Sequence, residues 1–415
     1  MKIIILGSGL LGVTTAYELG KRGFDVTVLE RQPESARETS FANGGQLSYS
    51  AAEPWATPGV LKKLPKWLVH PDSPLVVRRI DGQMIRWGLK FLRNCTHYRA
   101  RIATVNLLRL GLYSKERMEA IRKDTGIEFD FTGLGILYIF GNEKDFDAAK
   151  NHYDFQAKFG GEHRVLTREQ CLSLEPSLAA TSRQIVGGVH AVPDEIGDSY
   201  IFCNALAKIA AERYGVKFHY GVSIQGLRTE NNSIVGVTTN QGDISADGYV
   251  MAMGCHSAPM LRGIGIDVPV YPMKGYSFTT TANEFCPRSS IADNSRKIVY
   301  TRIGNRLRVA GTAEFAGYNQ NINERRLAPM IRAAKELFPQ ADWDQEISKW
   351  GCIRPSTPDG PPILGRTPFR NLFLNTGHGT LGWTQAPGSA SIVADLMEGK
   401  TPGIMLHGFT LERFL

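Results

Sequence analysis

The first thirty residues alternate between apolar runs and short polar breaks in a pattern that predicts a strand, a helix and a second strand. Residues 3–6 are aliphatic without interruption, as in a strand that is buried on both faces. Residues 13–19 carry apolar side chains at helical spacing, and Gly23 ends that helix. An apolar strand returns over 24–29, and Glu30 follows it. This order predicts the first βαβ unit of a Rossmann-like domain.

The turn inside this unit carries the pattern Gly-x-Gly-x-x-Gly at Gly7, Gly9 and Gly12. Gly7 permits a tight turn, Gly9 lets backbone N–H groups approach a pyrophosphate, and Gly12 allows close packing of helix and strand. The helix N-terminus then faces the anion. Glu30 is placed to accept hydrogen bonds from a ribose 2′-OH, and its charge would repel a 2′-phosphate. The unit therefore predicts dinucleotide binding.

The rest of the chain shows further periodic segments, without repeats or low-complexity tracts. Helices are predicted over 105–123, over 199–213 with Asp198 as the N-cap, over 325–338 and from about 389. Strands are predicted at 129–131, 135–140, 216–220, 234–238, 249–253, 269–281 and 371–374, and over 297–315 with a turn at Gly304-Asn305. The longer alternating strands predict an antiparallel sheet in a second domain.

Composition is that of a globular protein with room for two domains, at 415 residues, 42% hydrophobic and 21% charged. No apolar run approaches the roughly 20 residues of a spanning helix. The Met-Lys start followed by apolar residues resembles a signal peptide, but its glycines belong to the nucleotide turn, so we expect a cytoplasmic protein. The six cysteines, at positions 95, 171, 203, 255, 286 and 352, are far apart and predict free thiols with no metal site.

Residues 54–101 form a basic, Trp-rich segment. They contain ten lysines or arginines against two aspartates, an excess of +8 that equals the net charge of the whole chain. Trp55, Trp67 and Trp87 lie in the same stretch. Within 83–93, Arg86, Lys90 and Arg93 share one face of a predicted helix, while Met84, Ile85, Gly88, Leu89 and Leu92 lie largely away from it. Two interpretations stay open: a segment in a lipid interface, or a helix packed on the substrate domain. Nucleic-acid binding has no supporting motif.

Glycine-rich segments return late in the chain, at 254–257 and 377–383. A nicotinamide dehydrogenase would usually keep its dinucleotide site within one continuous N-terminal domain. Extended FAD carries its ring system across the sheet, so that distant segments must close over it. The loop 377–383 directly follows a strand and suits this closing role. The distribution of glycines therefore favours FAD.

Several motifs together resemble those of the D-amino acid oxidase superfamily of flavoenzymes, most closely its bacterial D-amino acid dehydrogenases. They are Gly7-Ser-Gly9-x-x-Gly12, Thr39-Ser40-x-Ala42-Asn43-x-Gly45-Gln46, Pro54-Trp55-Ala-x-Pro58-Gly59, Tyr271-Pro-x-Lys274-Gly275-Tyr276, Arg354-Pro-x-Thr-Pro-Asp359-Gly and Gly377-His378-Gly379-Thr-Leu-Gly382-Trp383. The outer motifs are shared with glycine oxidases and sarcosine oxidases, whereas the Pro-Trp and Lys-Gly-Tyr motifs are typical of the dehydrogenases. The resemblance covers nearly the whole chain.

The resemblance implies an α/β fold in which a Rossmann-like FAD-binding domain is combined with a substrate domain built on a mostly antiparallel sheet plus helices. We expect the FAD-binding domain over 1–50, 195–266 and 350–415, and the substrate domain over 51–194 and 267–349. The resemblance also implies oxidative deamination of D-amino acids such as D-alanine to 2-oxo acids and ammonia, with hydride transfer from Cα to flavin N5. Glycine, sarcosine or D-hydroxyproline as substrate, or a flavin-holding subunit of a larger complex, stay open as alternatives.

The candidate site residues follow from these motifs. Arg354 is expected to hold the substrate carboxylate with two hydrogen bonds, and Tyr276, Tyr300 and Tyr49 are candidate hydroxyl partners for substrate. The residues predicted to contact FAD are Gly7, Ser8, Gly9, Leu10, Leu11, Gly12, Glu30, Arg31, Thr39, Ser40, Asn43, Gly44, Gly45, Gln46, Leu47, Val222, Gly254, Arg354, Gly377, His378, Gly379, Thr380, Leu381 and Gly382.

Two residues of these motifs allow more than one role. His378 is either a general base or, because glycines surround it, a contact of the flavin or the backbone. Cys352 precedes Asp359 by seven positions, the spacing at which sarcosine oxidases carry a flavin-linked cysteine, yet noncovalent FAD is the expectation. The electron acceptor is expected to be a quinone or another carrier, with peripheral contact to the inner membrane through the basic segment.

Overall fold

The computed structural model describes residues 1–69, 73–344 and 347–415, with the backbone alone over 65–69. Within these ranges, ten α-helices and twenty β-strands are arranged around two large sheets. The helices are α1 Leu10–Lys21, α2 Pro58–Val69, α3 Gly82–Asn94, α4 His97–Thr125, α5 Glu143–Ala157, α6 Arg168–Leu174, α7 Ser199–Tyr214, α8 Ser257–Arg262, α9 Glu324–Leu337 and α10 Gly382–Met397. The strands are β1 Lys2–Leu6, β2 Asp25–Glu30, β3 Gln46–Leu47, β4 Leu75–Val77, β5 Ile136–Phe140, β6 His163–Thr167, β7 Gly187–Ala191, β8 Glu195–Ile196, β9 Lys217–Tyr220, β10 Ile224–Glu230, β11 Ser233–Thr239, β12 Gly242–Ile244, β13 Gly248–Met251, β14 Tyr271–Thr281, β15 Ser290–Asp293, β16 Ile298–Ile303, β17 Arg306–Phe315, β18 Ser348–Ser356, β19 Ile363–Arg366 and β20 Leu372–Thr376.

The first sheet has six strands in the order β19-β20-β13-β1-β2-β9, parallel except for the β19–β20 pair. Side chains of the central strand β1 alternate between two cores. Ile3 and Ile5 pack with residues of α1, α7 and α10, whereas Ile4 and Leu6 pack with residues of β11, β20 and α8. A parallel strand covered on both faces must be apolar throughout, which explains the uninterrupted aliphatic run at 3–6. The strand order confirms the Rossmann-like prediction.

The second sheet has nine strands and is mostly antiparallel. Its main path runs β18-β14-β17-β16-β15-β5-β7-β6, and β4 pairs in parallel with β17. Helix α9 covers one face, where Leu327, Met330 and Leu337 pack against Phe278 and Val309. The hairpin of β16 and β17 turns at residues 304–305, as the sequence predicts.

The predicted strand at 129–131 is wrong. Phe129 and Phe131 pack edge to face with ring centroids 5.7 Å apart, but Asp130 between them adopts φ +53°. A positive φ interrupts an extended chain, so the alternation of apolar and polar residues here comes from a turn. The Asp130 carboxylate accepts a hydrogen bond of 2.7 Å from Arg306.

The last helix, α10, begins at Gly382 and not near residue 389. Glycine and proline are poor helix formers. Because Gly382, Pro387 and Gly388 lie in the first two turns, helix propensity alone predicts a start that is too late. Burial overrides that preference, because the helix passes against α4. A Cβ at Gly388 would lie 3.0 Å from atoms of Ser114.

Helix α4 is longer than the predicted 105–123. Thr96 caps its N-terminus by accepting from the backbone N–H of Arg99, and Gly126 ends it in the left-handed conformation at φ +64°. The proposed domain limits stay a prediction. The strand β18 crosses the limit placed at residue 350, because its residues through Ser356 pair with β14 of the second sheet.

The basic segment folds as α2, β4 and α3. In α3, Trp87 and Phe91 are buried and stack with ring centroids 5.1 Å apart. The opposite face exposes Ile85, Leu89 and Leu92. The predicted separation of a basic face from the apolar residues is therefore only partly right. Lys90 lies over the ring of Phe414 at 5.7 Å, while Arg86 and Arg93 are exposed beside the apolar row. The side chains of Lys66, Trp67 and Leu68 lie outside the described residues.

Candidate functional site

A cavity of about 780 Å³ lies between the two sheets. One wall is formed where β1, β2, β13 and β20 end, since the carboxyl ends of parallel strands meet at one edge of a sheet. The other wall is formed by residues of β14, β17 and β18 from the second sheet. We call this the main cavity.

The glycine turn borders the main cavity with its backbone exposed. Gly7 has φ +100°, and a Cβ at Gly12 would lie 1.9 Å from the carbonyl oxygen of Gly7, so both positions require glycine. Gly9 is the N-cap of α1 and has no side chain that could accept hydrogen bonds from the first turn. The first-turn N–H groups of α1 therefore face the cavity at the position of an anion. Among the described side chains, Ser40 Oγ accepts from one of these groups, Leu10 N–H, at 3.2 Å.

Glu30 is held at the end of β2 by its neighbours. Its Oε2 accepts from the backbone N–H and hydroxyl of Ser8, at 2.8 and 3.0 Å, and its Oε1 accepts from Gln32 N–H at 2.9 Å. The adjacent Arg31 forms an ion pair with Glu38. Val222 N–H donates to the carbonyl oxygen of Glu30 at 2.8 Å, which brings the start of β10 to the same edge. The carboxylate is thus fixed while it borders the main cavity.

The loop 39–47 lies between the two sheets. Thr39 Oγ1 donates to the carbonyl oxygen of Ile353 at 2.8 Å, and Gln46 Nε2 donates to Ser290 Oγ at 2.8 Å. Gly45 has φ +70°, and a Cβ there would lie 2.7 Å from Ile303 Cδ1. These contacts fasten the loop to the second sheet and keep its backbone close to the cavity.

The loop after β20 closes the cavity. Gly379 N–H donates to the carbonyl oxygen of Pro355 at 2.9 Å, which joins this loop to β18. His378 Nε2 lies 2.9 Å from Ser389 Oγ, and its Nδ1 is buried without a partner among the described residues. Burial lowers the pKa of His378 to about 3, so the ring is neutral at ordinary pH. A ring with so low a pKa is a weak base, so His378 fits contact with a ligand better than proton abstraction.

These features fit FAD. The glycine turn and the start of α1, whose N-cap Gly9 has no side chain, suit a pyrophosphate, and Glu30 suits the ribose. Asn375 borders the cavity and leaves its buried Oδ1 without a partner among the described residues. The residues predicted to contact FAD that line the main cavity are Gly7, Gly9, Leu10, Leu11, Glu30, Arg31, Thr39, Ser40, Asn43, Gly44, Gly45, Gln46, Val222, Gly254, Arg354, His378, Gly379, Thr380, Leu381 and Gly382.

Four of the predicted contacts stand behind this lining. Ser8 orients Glu30, and Gly12 allows α1 to approach the turn. Leu47 is fully buried in the core below the sheet, and Gly377 takes φ +82° beside Thr357. Each shapes the cavity wall without forming part of it.

Arg354 extends from β18 into the main cavity. Its Nη1 lies 3.5 Å from the carbonyl oxygen of Thr312, and the described carboxylates form no ion pair with it. Burial lowers the pKa of the guanidinium to about 10, which leaves it charged at neutral pH. A half-buried cation that no described carboxylate neutralises is costly, so the site is prepared for an anionic ligand.

The three tyrosines do not converge with Arg354. Tyr276 lines the main cavity with its ring, but its hydroxyl donates to Glu314 Oε2 at 3.0 Å. Tyr49 is buried in the core with its hydroxyl on Glu195, and Tyr300 packs edge to face on Phe338. Neither Tyr49 nor Tyr300 lines the cavity, because both side chains point into hydrophobic cores.

Tyr138 lines the cavity from β5 and was not among the predicted site residues. Burial raises its pKa well above the usual value, so its hydroxyl stays protonated. A signal was present in the strand: Leu137 and Ile139 face one core, and Tyr138 alternates to the other face. Glu53, Trp55 and Trp350 also line the cavity and were not predicted to do so; Trp55 belongs to the Pro-Trp motif, whereas Glu53 and Trp350 lie outside the quoted motifs.

Cys352 does not line the main cavity. Its side chain is 2% exposed, and its Sγ donates to Gln320 Oε1 at 3.3 Å. Burial raises the pKa of this thiol to about 11. All six cysteines are buried and free of disulfides.

Comparison with known proteins shows the family of this chain. A family model described as FAD dependent oxidoreductase matches residues 2–396. The chain is 41% identical to a D-amino acid dehydrogenase of Bradyrhizobium diazoefficiens, covering 100% of this chain and 99% of the relative. It is 42% identical to one of Vibrio cholerae, covering 97% and 96%. Among solved structures, glycine oxidase from Geobacillus kaustophilus has a TM-score of 0.76 at 23% identity, covering 100% and 98% of the two chains. An L-proline dehydrogenase from P. horikoshii has the same TM-score at 20% identity, covering 100% and 97%.

Proposed function

The chain belongs to the family of FAD-dependent oxidoreductases, and we propose that it is a dehydrogenase that deaminates D-amino acids to 2-oxo acids and ammonia. The unpaired guanidinium of Arg354 inside the main cavity carries this proposal. It calls for a small carboxylate at that point, and the relatives that match over the full length are named D-amino acid dehydrogenase. FAD, when bound, supplies the hydride acceptor.

The protein's own contribution is to hold the cofactor and the substrate in a fixed orientation relative to each other. The glycine turn and Glu30 would hold the pyrophosphate and ribose of FAD, and the loops at 39–47 and 377–382 would enclose the ring system. Arg354 would grip the substrate carboxylate with two parallel hydrogen bonds, which fixes both its position and its plane. Orientation of this kind converts an encounter into a near-unimolecular step.

The side chains around Arg354 form the walls of the substrate site and offer little acid–base catalysis. His378 is neutral, and the hydroxyl of Tyr276 is engaged by Glu314. Tyr138 lies across the cavity as a neutral phenol that can hydrogen-bond to substrate. A substrate that presents a neutral amine and a carboxylate needs little further catalysis from such a site.

The products test this proposal. Purified protein, a D-amino acid panel and excess ferricyanide should yield 2-oxo acid and ammonia in equal amounts, with two ferricyanide ions reduced for each molecule of substrate. The matching L-amino acids serve as the control. Formation of 2-oxo acid from the L-panel alone would reverse the proposed stereochemistry, and formation of glyoxylate from glycine or sarcosine alone would favour that alternative.

We further propose that the protein attaches to the surface of a membrane through α3. Ile85, Leu89 and Leu92 share one face, are 52%, 59% and 45% exposed, and have Arg86 and Arg93 beside them. Exposed apolar side chains flanked by basic ones are typical of helices that lie in a lipid interface. None of the helices in the described part of the chain is long and apolar enough to cross a bilayer. A membrane-bound dehydrogenase would pass its electrons to a lipid-soluble quinone.

A further inference from the structure

A second cavity, of about 580 Å³, lies beneath the exposed row of α3. We call it the apolar cavity. Its walls come from α2, α3, β4 and the neighbouring strands β14 and β17, and nearly all its side chains are hydrophobic. Those that form its body are Leu64, Leu75, Val77, Met84, Trp87, Phe91, Leu107, Met273 and Phe315.

The outer end of the apolar cavity opens at the surface proposed to contact lipid. Ile80, Ile85 and Leu92 line the cavity and are also 76%, 52% and 45% exposed. Arg86 and Arg93 flank this opening. A molecule dissolved in the bilayer could therefore enter the cavity without crossing water.

The inner end of the apolar cavity meets the main cavity. The two share the lining residues Glu53, Trp55, His378, Gly379, Thr380 and Leu381. The loop after β20 is thus a common wall, with the proposed FAD site on one side and the apolar cavity on the other. A molecule at this inner end would lie next to the flavin-binding loop.

One polar side chain at the inner end lacks a partner. Ser356 lines the apolar cavity, is 7% exposed, and has a buried Oγ without a hydrogen-bond partner among the described residues. A Cβ at Gly379 would lie 3.8 Å from this oxygen, which places the hydroxyl beside the shared loop. An unsatisfied buried hydroxyl costs stability unless a ligand satisfies it.

We propose, resting on the dehydrogenase function above, that the apolar cavity binds a lipid-soluble quinone. The ring lies inward, where Ser356 donates a hydrogen bond to a carbonyl oxygen, and the isoprenoid tail extends outward past Ile85 and Leu92. The described residues that line the cavity include no lysine or arginine, so this part of it suits an uncharged carrier better than a phosphorylated one. Oxidation of the amino acid to its imino acid releases two electrons and two protons, and their uptake by the quinone gives the quinol and restores oxidised FAD.

Gly88 offers a direct test, because it lines the apolar cavity and a Cβ there meets no atom within 4 Å. Gly88→Phe should fill the cavity without disturbing the backbone. Gly82→Phe is the matched control, since Gly82 also has open space around its Cβ but does not line the cavity. A short-chain ubiquinone and ferricyanide are compared as acceptors with saturating D-amino acid.

Gly88→Phe should raise the KM for the quinone by about tenfold or more, a change that corresponds to losing about 1.4 kcal/mol of binding. Ferricyanide reduction and anaerobic bleaching of the flavin by D-amino acid should stay as in the wild type, and Gly82→Phe should change nothing. Ser356→Ala should raise the same KM by about 2- to 10-fold, as expected for one lost hydrogen bond.

Unchanged quinone kinetics in Gly88→Phe would overturn the proposal, and so would an equal loss with quinone and ferricyanide. A wild-type protein that no D-amino acid bleaches would instead contradict the dehydrogenase function itself. The two failures are therefore distinguishable.

Discussion

The guanidinium of Arg354 lies directly against Gly275 of the neighbouring strand, so that a Cβ at Gly275 would come 2.2 Å from both Cζ and Nη2 of Arg354. The clash would fall on the far end of a flexible side chain and not on backbone. Gly275 therefore reserves space for the guanidinium, and a larger residue can be tolerated only if Arg354 moves away.

The first prediction concerns this pair. Gly275→Ala should fold and bind FAD but displace Arg354, and so it should approach the loss seen in Arg354→Ala. A charge-assisted hydrogen bond contributes about 1.5–3 kcal/mol, so kcat/KM for a D-amino acid should fall by about 10- to 200-fold in Arg354→Ala. Arg354→Lys should recover only part, because an ammonium cannot form two parallel bonds.

Steady-state kinetics with FAD content measured on each variant checks this prediction. Gly82→Ala is the matched control, because a Cβ at Gly82 meets open space and this residue does not line the main cavity. Wild-type kinetics in Arg354→Ala would remove this residue from the substrate site. A Gly275→Ala variant that keeps full activity would show that the guanidinium need not occupy this position.

The second prediction concerns pH. Burial lowers the pKa of Arg354 to about 10, so the neutral form becomes significant above pH 10. A carboxylate without an amine, such as propionate, should bind with constant affinity from pH 7 to 9 and lose about tenfold per pH unit well above the pKa. Perturbation of the flavin absorption spectrum measures the binding. Arg354→Ala should bind propionate weakly at every pH, and affinity that persists through pH 11 in the wild type would exclude Arg354 as the partner.

The third prediction is that FAD is held without a covalent bond. The thiol of Cys352 donates to Gln320, does not line the main cavity and has its pKa raised to about 11. Acid precipitation should therefore leave FAD in a yellow supernatant, identified by its mass. A yellow precipitate that becomes colourless in Cys352→Ser would instead establish a link at this cysteine.

The fourth prediction concerns membrane attachment. Each basic residue near an anionic leaflet contributes about 1 kcal/mol, and the exposed apolar row adds burial in the interface. The wild type should float with anionic liposomes, less so at high salt. Ile85/Leu89/Leu92→Ser and Arg86/Lys90/Arg93→Glu should both float poorly.

The control for flotation replaces apolar residues of similar exposure elsewhere. Leu134, Phe159 and Val165 are 57%, 46% and 48% exposed, and serine at all three should leave flotation intact. Wild-type protein that stays at the bottom of the gradient, or that floats no better than the α3 variants, would contradict the membrane proposal.

Most residues predicted for the nucleotide half of the candidate site line the main cavity, because the signals that predict them are local. The turn from Gly7 to Gly12 and the acid at Glu30 lie within one βαβ unit, and their spacing fixes their geometry. The loop 377–382 was also predicted to border the site, because it directly follows a strand and its glycines let backbone N–H groups approach a ligand. Arg354 was found through its motif and lines the main cavity as expected.

The substrate side depends on contacts between distant segments and was predicted less well. Periodicity shows that Tyr300 and Tyr138 each lie on one face of a strand, but not which face meets the cavity; Tyr138 lines it and Tyr300 lies in a core. Likewise, the exposed row of α3 follows from where Trp87 docks, with its Nε1 donating to the carbonyl oxygen of Ser356 at 2.9 Å. No local pattern contains that contact.

Anaerobic titration of the purified holoprotein with matched D- and L-amino acids tests the central claim most directly. A small D-amino acid should bleach the flavin absorption with one equivalent of substrate oxidised per flavin, while its L-enantiomer leaves the spectrum unchanged. Bleaching by L-amino acids alone, or by neither enantiomer across the panel, would contradict the assignment of this site to D-amino acid oxidation.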